Sequence, residues 1–245
     1  MMVSVEVCCA TLDEALAADR AGVDSVELCT WLPSGGVTPS LGLVREVLER
    51  VQVRVRVLLR CRPGGFHYTE GEQAVMLRDV EAFGRLSGVG LVVGALDMDG
   101  RVDRHFVRAV QQRAPISEVT FHRAIDGCSD PLEALATCRQ LGVQRVLTSG
   151  AATLAMEGVG MLSRMVCEAG EVRLAAAGGI GPGNVVDLVE ATGVKEVHFA
   201  AQRPLKGDAP AVSMSSTNDG SGFTTVPDEE KIAGVLSALH QSGLR

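Results

Sequence analysis

The sequence predicts an α/β protein folded as one (β/α)8 barrel of the TIM type over residues 1–245. Three observations lead there. Eight short segments rich in Val, Leu and Ala alternate with helical patterns, which argues for a parallel sheet. Three helix-to-strand joints share a Gly-Val pattern, the mark of repeated tight turns at one end of a barrel. Residues able to do chemistry gather at the opposite, C-terminal ends of the strands, where barrels carry their sites.

In chain order, the strand segments are Val3–Cys9, Asp24–Cys29, Val53–Arg60, Val89–Leu96, Ile116–His122, Gln144–Ser149, Val172–Ala177 and Lys195–Ala200. The helical segments between them are Leu12–Ala21, Ser40–Arg50, Glu70–Leu86, Asp103–Arg113, Pro131–Leu141, Thr153–Ala169 and Pro182–Ala191, and Asp228–His240 closes the chain. Thr38-Pro39-Ser40 and Asp130-Pro131 read as helix starts. Gly22-Val23, Gly142-Val143 and Gly193-Val194 end helices, with Gly where a left-handed residue is wanted. One stretch departs from this plan. Residues 203–226 are rich in Ser, Gly and Thr and read as a long loop between the last strand and the last helix.

Composition narrows the function. The net charge of −7 and pI of about 5.3 argue against nucleic acid as a partner, because binding phosphate backbones needs a basic surface. No apolar run is long enough to span a membrane, and the chain opens on a strand without the pattern of a signal peptide. Seven cysteines at irregular spacings fit neither a disulfide framework nor a C-x-x-C zinc site. Free thiols in that number point to a reducing cytoplasm.

The first two strands end alike, in Val5-Glu6-Val7-Cys8 and Val26-Glu27-Leu28-Cys29. Residues two apart share a strand face, so in-register neighbours would bring two carboxylates and two thiols together. Soft thiolates favour Cu(I) or zinc, and a two-thiol site suits Cu(I) better than tetrahedral zinc. Cys8 and Cys29 are therefore the candidate metal ligands, against the simpler reading that free Cys buries well as a small residue. Glu6, Glu27, Asp97 and His122 are the candidates to move protons. Arg60, Arg62, Arg123, Ser149, Gly178, Gly179, Asn184 and His198 are the candidates to hold an anion, with the Gly178–Gly181 run after strand seven shaped like a phosphate cup. Strand three alternates Arg54, Arg56, Leu58 and Arg60 on the inner face, and Arg60 is the expected partner of the buried glutamates.

Several strings resemble the CutC family. They are Val26-Glu27-Leu28-Cys29 followed by Gly35-Gly36-Val37-Thr38-Pro39-Ser40, then Thr120-Phe121-His122-Arg123-Ala124, then Arg145-Val146-Leu147-Thr148-Ser149-Gly150, and finally Gly178-Gly179-Ile180 with Glu196-Val197-His198. The resemblance implies a TIM-type barrel, a cytoplasmic location, a homo-oligomer (a dimer or larger), a role in copper homeostasis and a Cu(I) site at Cys8 and Cys29. It departs from the family after strand three, where Arg60-Cys61-Arg62-Pro63-Gly64-Gly65-Phe66 shifts the proline and puts Gly65 at an acidic position. Two readings stand: a copper-binding protein, or an enzyme acting on a small phosphorylated or carboxylated metabolite. A third, a non-catalytic metabolite binder, is the weaker one.

Overall fold

The computed structural model describes residues 2–205 and 225–245. Eight parallel strands close into a barrel: β1 (Ser4–Cys9), β2 (Ser25–Leu28), β3 (Arg54–Leu58), β4 (Val89–Val93), β5 (Val119–Phe121), β6 (Arg145–Thr148), β7 (Arg173–Ala177) and β8 (Glu196–Ala200), with β8 pairing back onto β1. Between and after them run α1 (Leu12–Ala21), α2 (Leu41–Arg50), α3 (Glu70–Phe83), α4 (Arg104–Arg113), α5 (Pro131–Gln140), α6 (Val159–Glu168), α7 (Val185–Thr192) and α8 (Glu229–Gln241). This is the TIM-type (β/α)8 fold that the alternation predicts. No helix among the described residues is long and apolar enough to cross a membrane.

Local chemistry sets the joints. Gly22, Gly142 and Gly193 have φ of +81°, +72° and +71°, a region that side-chain-bearing residues avoid. Ser40 and Asp130 cap α2 and α5 by accepting from the amides of Leu43 and of Leu132 and Glu133. Along each strand, alternate residues face the helices. Val5, Val7, Val26, Leu28, Val55 and Val57 join one core with Val44, Val47, Met76 and Phe106 of the helices. Burying a side chain of this size contributes roughly 1.5–3 kcal/mol.

Among the differences from the sequence-based reading, three have a visible cause or consequence. Helix α6 starts at Val159, not Thr153, because the preceding residues are drawn onto the β7 loop: the Ala155 amide donates to Gly178 O at 2.9 Å. Strand β5 begins at Val119, since Ser117 turns back to Ala114 O and Ile116 stays exposed. The ends of the long 203–226 loop are themselves paired. Two further strands, β9 (Gln202–Pro204) and β10 (Thr225–Pro227), form an antiparallel pair, while residues 206–224 lie outside the described residues. Buried Glu14 on α1 anchors that pair by accepting from Gln202 Nε2 and Thr225 Oγ1.

Candidate functional site

The barrel interior holds a charged layer. Glu6 is fully buried and accepts from Arg56 Nη1 at 2.5 Å, Arg145 Nη2 at 2.6 Å and Ser25 Oγ at 2.9 Å, with His198 Nδ1 at 2.9 Å. Arg145 also bonds Glu196, and Arg56 bonds Glu118. Burial works against the Glu6 charge, but Arg145, the His198 bond and Arg56 outweigh it and hold the carboxyl well below its usual range.

Glu6 and Glu27 both face inward. Their expected partner, Arg60, does not. Glu6 takes Arg56 and Arg145 instead and Glu27 pairs with no arginine among the described residues, because Arg60 lies four residues beyond Arg56, roughly 13 Å further along the strand. There it donates to Ser34 O, Gly36 O and Gly64 O, holding the mouth loops together.

Above the charged layer sits the thiol pair. The strands are not in the register that would set the cysteines side by side: Cys8 pairs with Glu27, and Cys9 with Leu28. The thiols meet diagonally instead, Sγ to Sγ at 3.3 Å, both buried. Cys8, Glu27 and His198 each offer a ligand atom within 4.8 Å of the others. The hydrogen bond to Cys29, then burial, push the Cys8 thiol well above its ordinary pKa. Burial pushes the Glu27 carboxyl up. Burial opposes the His198 charge, yet Glu27, the Cys8 bond and Glu6 raise it to about 10.

This donor set fits a soft cation. His198 Nδ1 is engaged by Glu6, the arrangement that orients an imidazole for metal, and the ring also bonds Cys8. Glu27 Oε2 is buried with no hydrogen-bond partner. A Cβ at Gly36, where φ is +82°, would come within 2.9 Å of Leu58 Cδ2 and 3.3 Å of Cys29 Cβ, so only glycine lets this loop pack on the thiol.

The cluster opens into a cavity of about 580 Å³ at the barrel mouth. Cys8, Glu27, Arg60, His122, Arg123, Gly178, Gly179 and His198 line it. Arg123 is occupied in building the wall: Nε bonds Asp126, and Nη2 bonds Ser149 Oγ, Ala152 O and Thr153 O. Ser149 is buried in that network. Asn184 bridges Gly181 N and Gly179 O within the β7 loop, and the positive φ of Gly178 and Gly179 lets the 153–155 segment approach closely. Arg62 and Asp97 stand off the lining. Arg62 pairs with Glu72 and lies over the Tyr68 ring, and Asp97 closes its own turn by accepting from Asp99 and Arg101 amides.

Sequence reasoning did not give Arg145, Glu196, Ser25 or Lys231 a place here. A signal existed for the first two. Leu147 and His198 line the cavity, so Arg145 and Glu196, two residues earlier, share their inward face.

The fold and the site together define a closed (β/α)8 barrel with a buried thiol, imidazole and carboxylate cluster at its mouth. The chain belongs to the CutC family, whose profile matches residues 3–203. It is 40% identical over 236 residues to the family protein CutC of Xanthomonas campestris pv. campestris, covering 96% of this chain and 98% of that one. It is 37% identical over 219 residues to that of Salmonella enteritidis, covering 88% of each. The crystal structure of CutC from Streptococcus agalactiae, whose name provisionally assigns it to copper homeostasis, superposes with a TM-score of 0.76 at 28% identity, covering 81% of this chain and 98% of the other. Phosphoribosylanthranilate isomerase of Thermotoga maritima, at 16% identity and a TM-score of 0.57, shares the fold.

Proposed function

We propose that this protein binds Cu(I) as a cargo ion at the barrel mouth and serves copper homeostasis, as the name of its Streptococcus agalactiae relative suggests. The observation that carries the reading is the buried Cys8–Cys29 pair, 3.3 Å apart, with His198 and Glu27 beside Cys8. Two soft sulfurs and an imidazole select a soft ion over the hard cations that oxygen cages favour. Cys8 and Cys29 act as the sulfur donors, His198 as the nitrogen donor, and Glu27 balances charge. Glu6 orients His198. All seven cysteines are free thiols, which supports a reducing cytoplasmic setting for the site. The family resemblance supports a homo-oligomer.

Titrating reduced protein with Cu(I) against a chromogenic chelator tests the assignment. One tight equivalent is expected in the parent, lost in the Cys8→Ser, Cys29→Ser double variant. Unaltered affinity in the double variant would remove copper from these residues.

A further inference from the structure

A cavity of about 580 Å³ is far larger than one ion needs and lies in the range of small-molecule sites. Much of its wall is apolar, from Leu32, Leu58, Phe66, Leu147, Ile180 and Phe199. Among the described residues, four buried side-chain polar atoms have no hydrogen-bond partner: Glu27 Oε2, Arg60 Nε, Tyr68 Oη and His122 Nε2. Three of the four belong to residues that line this one cavity. A buried polar atom without a partner costs roughly 1–3 kcal/mol, and native proteins seldom gather such atoms in one place without use for them.

The three atoms differ in kind. His122 is 5% exposed and Arg60 6%. The Ala124 amide donates to His122 Nδ1 at 3.1 Å, so the ring proton sits on Nε2, which is a donor. Arg60 Nε–H is a second donor, and its other two nitrogens are already spent on loop carbonyls. Glu27 Oε2 is an acceptor on another wall. Charge points the same way. The lining carries Arg60, Arg123 and Lys231 against Glu27 and Asp126, a local positive excess in a chain of net charge −7. Lys231 Nζ is held at this rim by Ala200 O at 2.7 Å.

We propose that the cavity is a binding site for a small hydroxylated organic oxyanion, a hydroxycarboxylate or a phosphate monoester, with its anionic oxygens accepting from His122 Nε2–H and Arg60 Nε–H and its hydroxyl donating to Glu27. Both donor atoms are buried and belong to residues that line the cavity, so the ligand engages them once those side chains turn toward it. The apolar wall packs the carbon skeleton. The cavity is shared with the proposed metal cluster through Cys8 and Glu27, while His122 and Arg60 belong to the anion site alone.

The test is isothermal titration of metal-free, reduced full-length protein with L-malate and with sn-glycerol 3-phosphate, using glycerol as the uncharged control. At least one anion is expected to bind and glycerol not. Malate alone assigns a carboxylate, and glycerol phosphate alone assigns a phosphate. His122→Phe keeps a ring but deletes the donor, and should weaken binding about tenfold or more, the effect of one hydrogen bond to a charged group. His122→Gln keeps an N–H and should retain most of the affinity. If the ring replacement disturbs folding, Glu27→Gln carries the same test from the opposite wall. Absence of binding by both anions, or parent-like affinity in the His122→Phe or Glu27→Gln protein, overturns the proposal.

Discussion

Glu6 and Glu27 face the same barrel interior one pleat apart, about 6.6 Å along the strand direction, and their surroundings are opposite. Glu6 meets two arginines, a serine and a histidine, and neither of its oxygens is idle. Glu27 has one oxygen near a thiol at 3.8 Å and the other with no partner. The lower layer spends its charges on one another and so fixes the strands' relative positions. The mouth keeps thiols, an imidazole and single polar atoms in reserve. The difference teaches where to look for function in a barrel full of charge: charges that are fully paired build the scaffold, and buried atoms left unpaired mark the site.

The strongest way to break this comparison is to remove the two carboxylates in turn. Glu6→Gln leaves Arg56 and Arg145 buried without their shared counter-charge, and should cost about 3–5 kcal/mol in urea unfolding. Glu27→Gln, by contrast, should have an effect on stability near zero. Equal losses in the two variants would erase the distinction between floor and mouth.

A pH series sharpens the role of the opposite wall. Burial, then the Arg60 charge, lower the His122 pKa to about 3, against about 6.5 unfolded. The unfolded chain therefore takes up a proton between these values while the folded one does not, and stability falls as pH falls through that window. From pH 7 to pH 5, a range above most carboxylate titration, this histidine alone should cost about 2 kcal/mol. His122→Gln should flatten that slope. A parent and variant with the same slope would show that the ring is not held neutral.

Gly36 links the scaffold to the thiols. With φ of +82° and Leu58 Cδ2 at 2.9 Å from a built Cβ, Gly36→Ala should cost on the order of 1–3 kcal/mol, read by thermal unfolding, and weaken Cu(I) binding by displacing Cys29. The smallest change is expected at Glu27→Gln, which removes a poorly paired buried charge. It should alter stability by less than about 1 kcal/mol while lowering affinity at the mouth.

Much of this plan was legible in the residues. Strand alternation gave the inward direction of Glu6, Cys8, Glu27 and Arg56, since a two-residue period needs no tertiary knowledge. The Gly-Val joints gave the closed end of the barrel. Three things were not legible. The stagger between β1 and β2 sets Cys8 opposite Glu27, and shear is a property of closure rather than of either strand. Arg145 reaches Glu6 across 139 positions of sequence, which only a closed barrel brings together. The orphaned atoms of Arg60 and His122 depend on where neighbouring loops put their carbonyls, and local pattern carries no trace of that.

The central claim is the proposal that the sulfurs of Cys8 and Cys29, with His198, bind Cu(I) at the mouth. X-ray absorption at the copper K-edge, on reduced protein loaded with one equivalent of Cu(I), reads it directly. The account predicts a first shell dominated by two sulfur neighbours with a nitrogen neighbour from His198, and loss of the sulfur signal when both cysteines are serine. A shell of nitrogen and oxygen alone in the parent protein, or sulfur scattering that persists in the double variant, would contradict it.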